Sequence, residues 1–194
     1  GPGALAGVID MTSSLDRGLR AGLDIGSRQS LQGRAHLGEN IGGGTLGTSA
    51  RGAGGDGFIP ITRDTRGPAD RPAPYKEASL RAHWLGSVAP EVDLQLSASG
   101  FVDRRDRGLA FTENRTEGAD TSLRLVGRGR WQWSALGYVQ WRDFQSSFAS
   151  VTPGRTEAAR VSLQDSVPSH SIGGAFEIRP PLAERIELRL GADA

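Results

Sequence analysis

The chain has 194 residues, of which 23 are basic and 22 acidic, for a formal net charge of +1, so it lacks the basic footprint of a nucleic-acid binder. It contains no cysteine, which excludes a disulfide framework and any thiolate metal site, and no run approaches the roughly 18 apolar residues of a membrane-crossing helix. Glycine, at 28 residues, is about twice its usual share. Many glycines, such as Gly22, Gly33, Gly100, Gly127 and Gly137, fall inside alternating segments, where a sheet wall accepts them if neighbouring groups approach closely.

The chain opens with Gly1-Pro2-Gly3-Ala4-Leu5-Ala6-Gly7-Val8-Ile9-Asp10-Met11-Thr12, which lacks the charged start and apolar core of a signal peptide. From Leu19 onward strict two-residue alternation recurs, the mark of strands with two unlike faces. Nine strands are predicted. The first sets Leu19, Ala21, Leu23 and Ile25 against Arg20, Gly22 and Asp24; the second sets Leu31, Gly33, Ala35 and Leu37 against Gln32, Arg34 and His36. A weaker third carries Leu46, Thr48 and Ala50 after a turn at 41–44, and the fourth spans 75–86 with Ala78, Leu80, Ala82 and Trp84 on one face. Strand five alternates Val92, Leu94, Leu96 and Ala98 with Asp93, Gln95, Ser97 and Ser99, and strand six centres on Leu123 and Leu125. In strand seven, Trp131 and Trp133 stand at one end and Trp141 and Phe144 at the other, about the separation needed to cross a bilayer at a tilt, so these rings are expected at the two interfaces. Strand eight carries Ile172, Gly174, Phe176 and Ile178, and strand nine Ile186, Leu188 and Leu190.

The links alternate in length. Short ones are marked by Gly43-Gly44, Ala89-Pro90, Gly129-Arg130 and Pro180-Pro181, with another at 27–29, whereas 54–74, 103–118 and 146–168 read as long polar loops. Tight turns at one end and long loops at the other are what transmembrane barrels show. The expected fold is therefore all-β, a membrane β-barrel fragment built as an antiparallel up-and-down meander of about nine strands. Leu80, Ala82, Leu94, Leu96, Leu123, Leu125, Val139, Leu188 and Leu190 should face lipid, and Arg81, Gln95, Arg124, Gln140 and Arg189 the lumen.

The opening string resembles the segment that closes the plug domain of TonB-dependent outer-membrane receptors, a Gly-x-x-Ala-x-Gly-Gly-Val-Ile-Asn-Ile-type pattern, with Ala6 replacing a glycine and Asp10 an asparagine. The resemblance covers about a dozen residues and is followed directly by the alternating strands. It implies a barrel of roughly 22 strands occluded by a plug, with residues 1–15 the end of the plug, 16–194 the N-terminal part of the barrel, and the chain an internal piece of a longer protein. It further implies a Gram-negative outer-membrane location, import of a scarce small molecule such as a siderophore or cobalamin, and energy from the TonB complex through a segment absent from this chain. Membrane lipid is then the other partner, nucleic acid is none, and no cofactor or bond-making chemistry is involved.

On that reading ligand contacts come from the loop residues Arg63, Asp64, Arg66 and Arg71, and Arg34, Arg81 and Arg124 line the lumen. Other signals carry less. Gly42-Gly43-Gly44-Thr45-Leu46-Gly47 has dinucleotide-fingerprint spacing, but so much glycine follows that no helix opens there. Neither His36, His83 nor His170 has a carboxylate at metal-ligand spacing, and the run Asp103-Arg104-Arg105-Asp106-Arg107 reads as a solvated loop base with internal ion pairs. Two rival classes remain open at this stage: a plug-less porin or adhesin-type barrel, and a secreted carbohydrate-binding β-protein in which the apolar faces form a buried core.

Overall fold

The structure, a computed structural model, describes residues 16–182 and 188–194. The plug-like string and Ile186 lie outside the described residues. Among the described residues nine strands form one open antiparallel sheet in sequence order: β1 (Gly18–Ile25), β2 (Leu31–Ile41), β3 (Gly44–Gly55), β4 (Tyr75–Ala89), β5 (Val92–Asp106), β6 (Glu113–Arg128), β7 (Gln132–Val151), β8 (Ala158–Arg179) and β9 (Leu190–Asp193). Among the described residues the only helix is a 3-10 turn, Pro153–Arg155, and no helix is long and apolar enough to cross a membrane.

Turn chemistry fixes the hairpins. Ile41 pairs with Gly44 across Gly42-Gly43, both with positive φ (62° and 77°), the left-handed pair that matches the twist of a two-residue hairpin. Ala89 and Val92 pair across Pro90-Glu91, where only Glu91 has a positive φ (61°), next to a register shift between Ser87 and Ala89. Once these turns set the register, every face follows, because side chains alternate strictly along a strand.

The register sorts the residues into unlike faces. One face carries the row Leu94, Leu125, Ala135 and Phe176, then Leu46, Trp84, Leu96, Leu123 and Gly137, then Leu19, Leu37, Thr48, Ala82, Ala98, Thr121, Val139 and Ile172. Val92, Gly127, Trp133, Ile178 and Leu190 bound this belt at the short-turn end, and Ala21, Ala35, Ala50, Leu80, Gly100, Ala119 and Trp141 at the other. The opposite face carries the polar row Arg20, His36, Ser49, Arg81, Ser99, Asp120, Gln140 and Ser171. The alternation expected within the strands holds, with Leu94 and Leu125 on one face and Gln95 and Arg124 on the other; Leu188 and Arg189 precede β9 and have no pairing to place them.

Two expectations are corrected. The loops read at 103–118 and 146–168 are largely strand: β5 and β6 continue to a tip at 107–112, and β7 and β8 to a tip at 152–157. These extensions carry charge on both faces, with Arg104 and Arg115 on one and Asp103 and Arg105 on the other, so pairing continues where the apolar alternation stops. Phe144 pairs with Thr116 on the polar face, three positions from Trp141 and hence opposite to it, and Trp131 lies in the turn before β7.

No described residue covers the belt. Among the described residues no hydrophobic side chain is buried, and Leu80 and Ile172 are 60% and 81% exposed. Glycine serves the wall locally. A Cβ on Gly44 would come 2.5 Å from the Trp84 ring, whose Nε1 donates to the Ile41 carbonyl at 2.8 Å and pins the ring over the turn.

Candidate functional site

Three long hairpins rise from one end of the sheet, and their tips meet. The segment 56–74 between β3 and β4 folds across the β5–β6 and β7–β8 tips: Asp70 forms a bridge with Leu109, Arg71 N–H donates to the Gly108 carbonyl at 2.9 Å, and Ala69 N–H to the Arg155 carbonyl at 2.9 Å. At the junction the Asp70 carboxylate, with no side-chain exposure, accepts a two-pronged fork from Arg155, Nε at 2.8 Å and a terminal nitrogen at 2.6 Å. That fork is the main reason the Asp70 carboxyl is held down at about 2, against the upward push of burial; the Gly67 N–H adds to it.

The loop residues nominated from sequence separate into two groups. Arg63 and Arg66 line an open hollow of about 590 Å³ together with Arg28, Asp56, Phe58 and Pro72. Arg28 comes from the β1–β2 turn and stands over the Phe58 ring at 5.8 Å, while Arg66 is tied to the Ile61 carbonyl at 2.9 Å. Asp64 is exposed on the same loop, its carboxyl held below the ordinary range chiefly by the Thr62 hydroxyl. Arg71 belongs elsewhere. It pairs with Asp106 and Glu113 and joins the loop to the β5–β6 hairpin.

The wall residues also separate. Arg34 and Arg81 line a concavity of about 700 Å³ on the polar face, shared with Arg20, His36, Arg51 and Asp120. Arg34 is committed to Asp24 at 2.7 Å, and Arg142 grips Asp120 with 2.8 Å and 3.0 Å contacts while standing 5.2 Å over Phe101. No side-chain partner appears for Arg81 among the described residues. Arg124 stands four residues beyond Asp120 along β6, toward the short turns and outside this concavity.

Neither His36 nor His83 gathers ligands. His36 bonds the Ser49 hydroxyl and the Asp16 carbonyl, at 3.0 Å and 2.9 Å, His83 packs on Gly47, and His170 falls on the apolar face at its upper margin. Among the described residues no group of three metal-ligating side chains forms. The run 103–107 is strand rather than loop for its first four residues, and its ion pairs are real: Arg105 reaches Asp103 at 2.8 Å and Glu77 at 3.1 Å.

Comparison of the chain with protein-family models, curated proteins and solved structures finds no match. The residues themselves therefore carry any functional reading. Sequence reasoning missed Arg28 and Phe58, which reach the loop hollow from a turn and a loop far apart in the chain, and it missed the Asp70–Arg155 clasp, whose members are 85 positions apart. No local spacing signals either. The arrangement offers convergent cations and hydrogen-bond donors, which suits binding of a polar or anionic small molecule.

Proposed function

We propose that this chain forms part of an outer-membrane β-barrel of the TonB-dependent receptor kind, whose outer loops capture a scarce small molecule for energised import, with no bond-making step. The observation that carries the reading is the belt. Five consecutive same-face rows, about 7 Å apart along a strand, span ~27 Å, or ~21 Å at a tilt near 40°, close to the apolar band of roughly 25 Å on such barrels. A leucine or isoleucine left in water forfeits roughly 1.5–3 kcal/mol, so the exposed rows require an apolar surrounding. Lipid meets that need from outside while the polar face turns inward.

The plug-like string before β1 favours a receptor over a plug-less barrel. The chain itself contains no cysteine, which makes the test direct. In the natural full-length protein, freed of any cysteine elsewhere and reconstituted in phosphatidylcholine vesicles, Leu96→Cys should react with a bilayer-partitioned maleimide and resist a membrane-impermeant one. Equal reaction of Leu96→Cys with the impermeant reagent means a water-facing surface and returns the secreted-protein reading. The transport half is tested separately: a deletion strain supplied with single iron or cobalamin sources should lose growth on one of them, and a protonophore should abolish the corresponding uptake in wild-type cells. Uptake that persists without the proton gradient points to a passive porin.

A further inference from the structure

On the belt face, from its last apolar row outward, lies a feature that ligand import does not use. Strands β3, β4 and β5 place Ala50, Gly52, Ala78 and Gly100 on this face, a floor of small residues with Leu80, Val102 and Trp141 around it and the Arg115-paired Glu117 at its edge, and the result is an open hollow of about 860 Å³. The next same-face position on β4 is Lys76 and on β5 Arg104, paired in register with each other, and Arg115 follows on β6. These cations line a second hollow of about 480 Å³.

Their neutralisation is uneven. Arg115 is engaged by Glu117 at 2.5 Å. Of the acids nearby, Asp106 and Glu113 are paired with Arg71, whereas Asp165 and Asp143 accept from the neutral Gln145 amide at 2.9 Å and Ser166 hydroxyl at 3.0 Å and keep their charge. Arg160, at the rim, stands 5.3 Å over Phe111. Lys76 and Arg104 have no side-chain partner among the described residues, and both are exposed. Two adjacent cations without an ion-pair partner at the upper margin of an apolar belt, above a hollow floored by small residues, match the two ends of a lipid.

We infer that the surface under Lys76 and Arg104 docks one phosphate-bearing lipid of the outer leaflet, the phosphate held between the two cations and an acyl chain lying in the Ala50–Gly52–Ala78–Gly100 hollow. This rests on the barrel reading above, since the same hollow on a soluble protein would face water. Cationic side chains at a membrane surface attract anionic headgroups, phosphate takes charge-assisted bonds from both Lys and Arg, and the Trp141 ring stands at the depth where amphipathic rings settle.

The test uses the delipidated full-length protein with lipid A as the probe, bound lipid being read by native mass spectrometry. Wild type should retain lipid A, and K76A/R104A should bind it roughly tenfold more weakly. Ala78→Phe fills the hollow without touching charge and should weaken lipid A binding as well. R81A/R124A removes the same charge from the polar face and should bind like wild type. Retention by K76A/R104A equal to wild type overturns the inference, as does displacement of lipid A by an equal concentration of inorganic phosphate, which would mark a plain anion site. Failure of wild type to enter bilayers at all would instead sink the barrel reading, so the two failures are distinguishable.

Discussion

Leu94 and Gln95 are neighbours in β5 and stand on opposite faces, Leu94 paired with Leu125 and Gly86 in the belt, Gln95 with Arg124 and Leu85 on the other side. Their peptide environments are otherwise alike, so a matched pair of substitutions isolates the face. In the natural full-length protein, Leu94→Arg should cost roughly 2–4 kcal/mol, because a guanidinium at mid-belt must sit in hydrocarbon. Gln95→Arg should cost far less, on the order of a few tenths of a kcal/mol for the like charge of Arg124 directly across the pair, since its side chain enters a polar wall rather than hydrocarbon. Urea titration of refolding into lipid vesicles reads both. Equal costs, or a larger one at Gln95, would mean that the register assigns the faces wrongly, because a one-residue slip exchanges every face.

At the scale of elements, the Asp70–Arg155 clasp decides how the long hairpins behave. Asp70→Asn keeps the shape but loses the charge-assisted fork, so the 56–74 segment should loosen and trypsin should cut faster after Arg63 and Arg66 in intact cells, with the strand rows still protected. The pH dependence has a definite sign. The Asp70 carboxyl is lowered from 3.8 to about 2 in the folded protein, so the clasp's contribution is fully present above about pH 4 and disappears as pH falls toward 2. Trypsin is inactive there, so pepsin cleavage between pH 4 and 2 is the readout, and D70N should show no such step. The clasp was beyond sequence reading because its partners meet only after three hairpins have formed. Strand existence and facing were legible wherever one face is apolar, as at Leu94-Gln95-Leu96. Strand length was not: β8 begins at Ala158 rather than near Ile172 because residues such as Arg160, Gln164 and Asp165 give no alternation to read. Loop candidates were legible as residue types only, and Arg71 shows the limit, since an exposed-looking arginine there is spent on Asp106 and Glu113.

For the whole molecule the telling feature is the pair of unclosed edges. Among the described residues β1 and β9 each have one neighbour, so there β1 presents eight residues of unpaired backbone beside Leu19, Leu23 and Ile25, which are 74%, 66% and 79% exposed. Such an edge is a template for another strand, and the uncovered belt adds a hydrophobic reason to associate. The 194-residue chain produced alone and diluted from urea should therefore form concentration-dependent oligomers by sedimentation velocity. Two routes to association make different demands. Leu23→Lys places a charge at the edge strand and should slow assembly through β1 while leaving belt contacts intact, whereas detergent micelles should cover the belt while leaving the edge free. The combination should give the smallest species. A monodisperse, cooperatively melting monomer in plain buffer would contradict both the open sheet and the lipid-facing belt, because neither an unpaired eight-residue edge nor five exposed apolar rows is compatible with that behaviour.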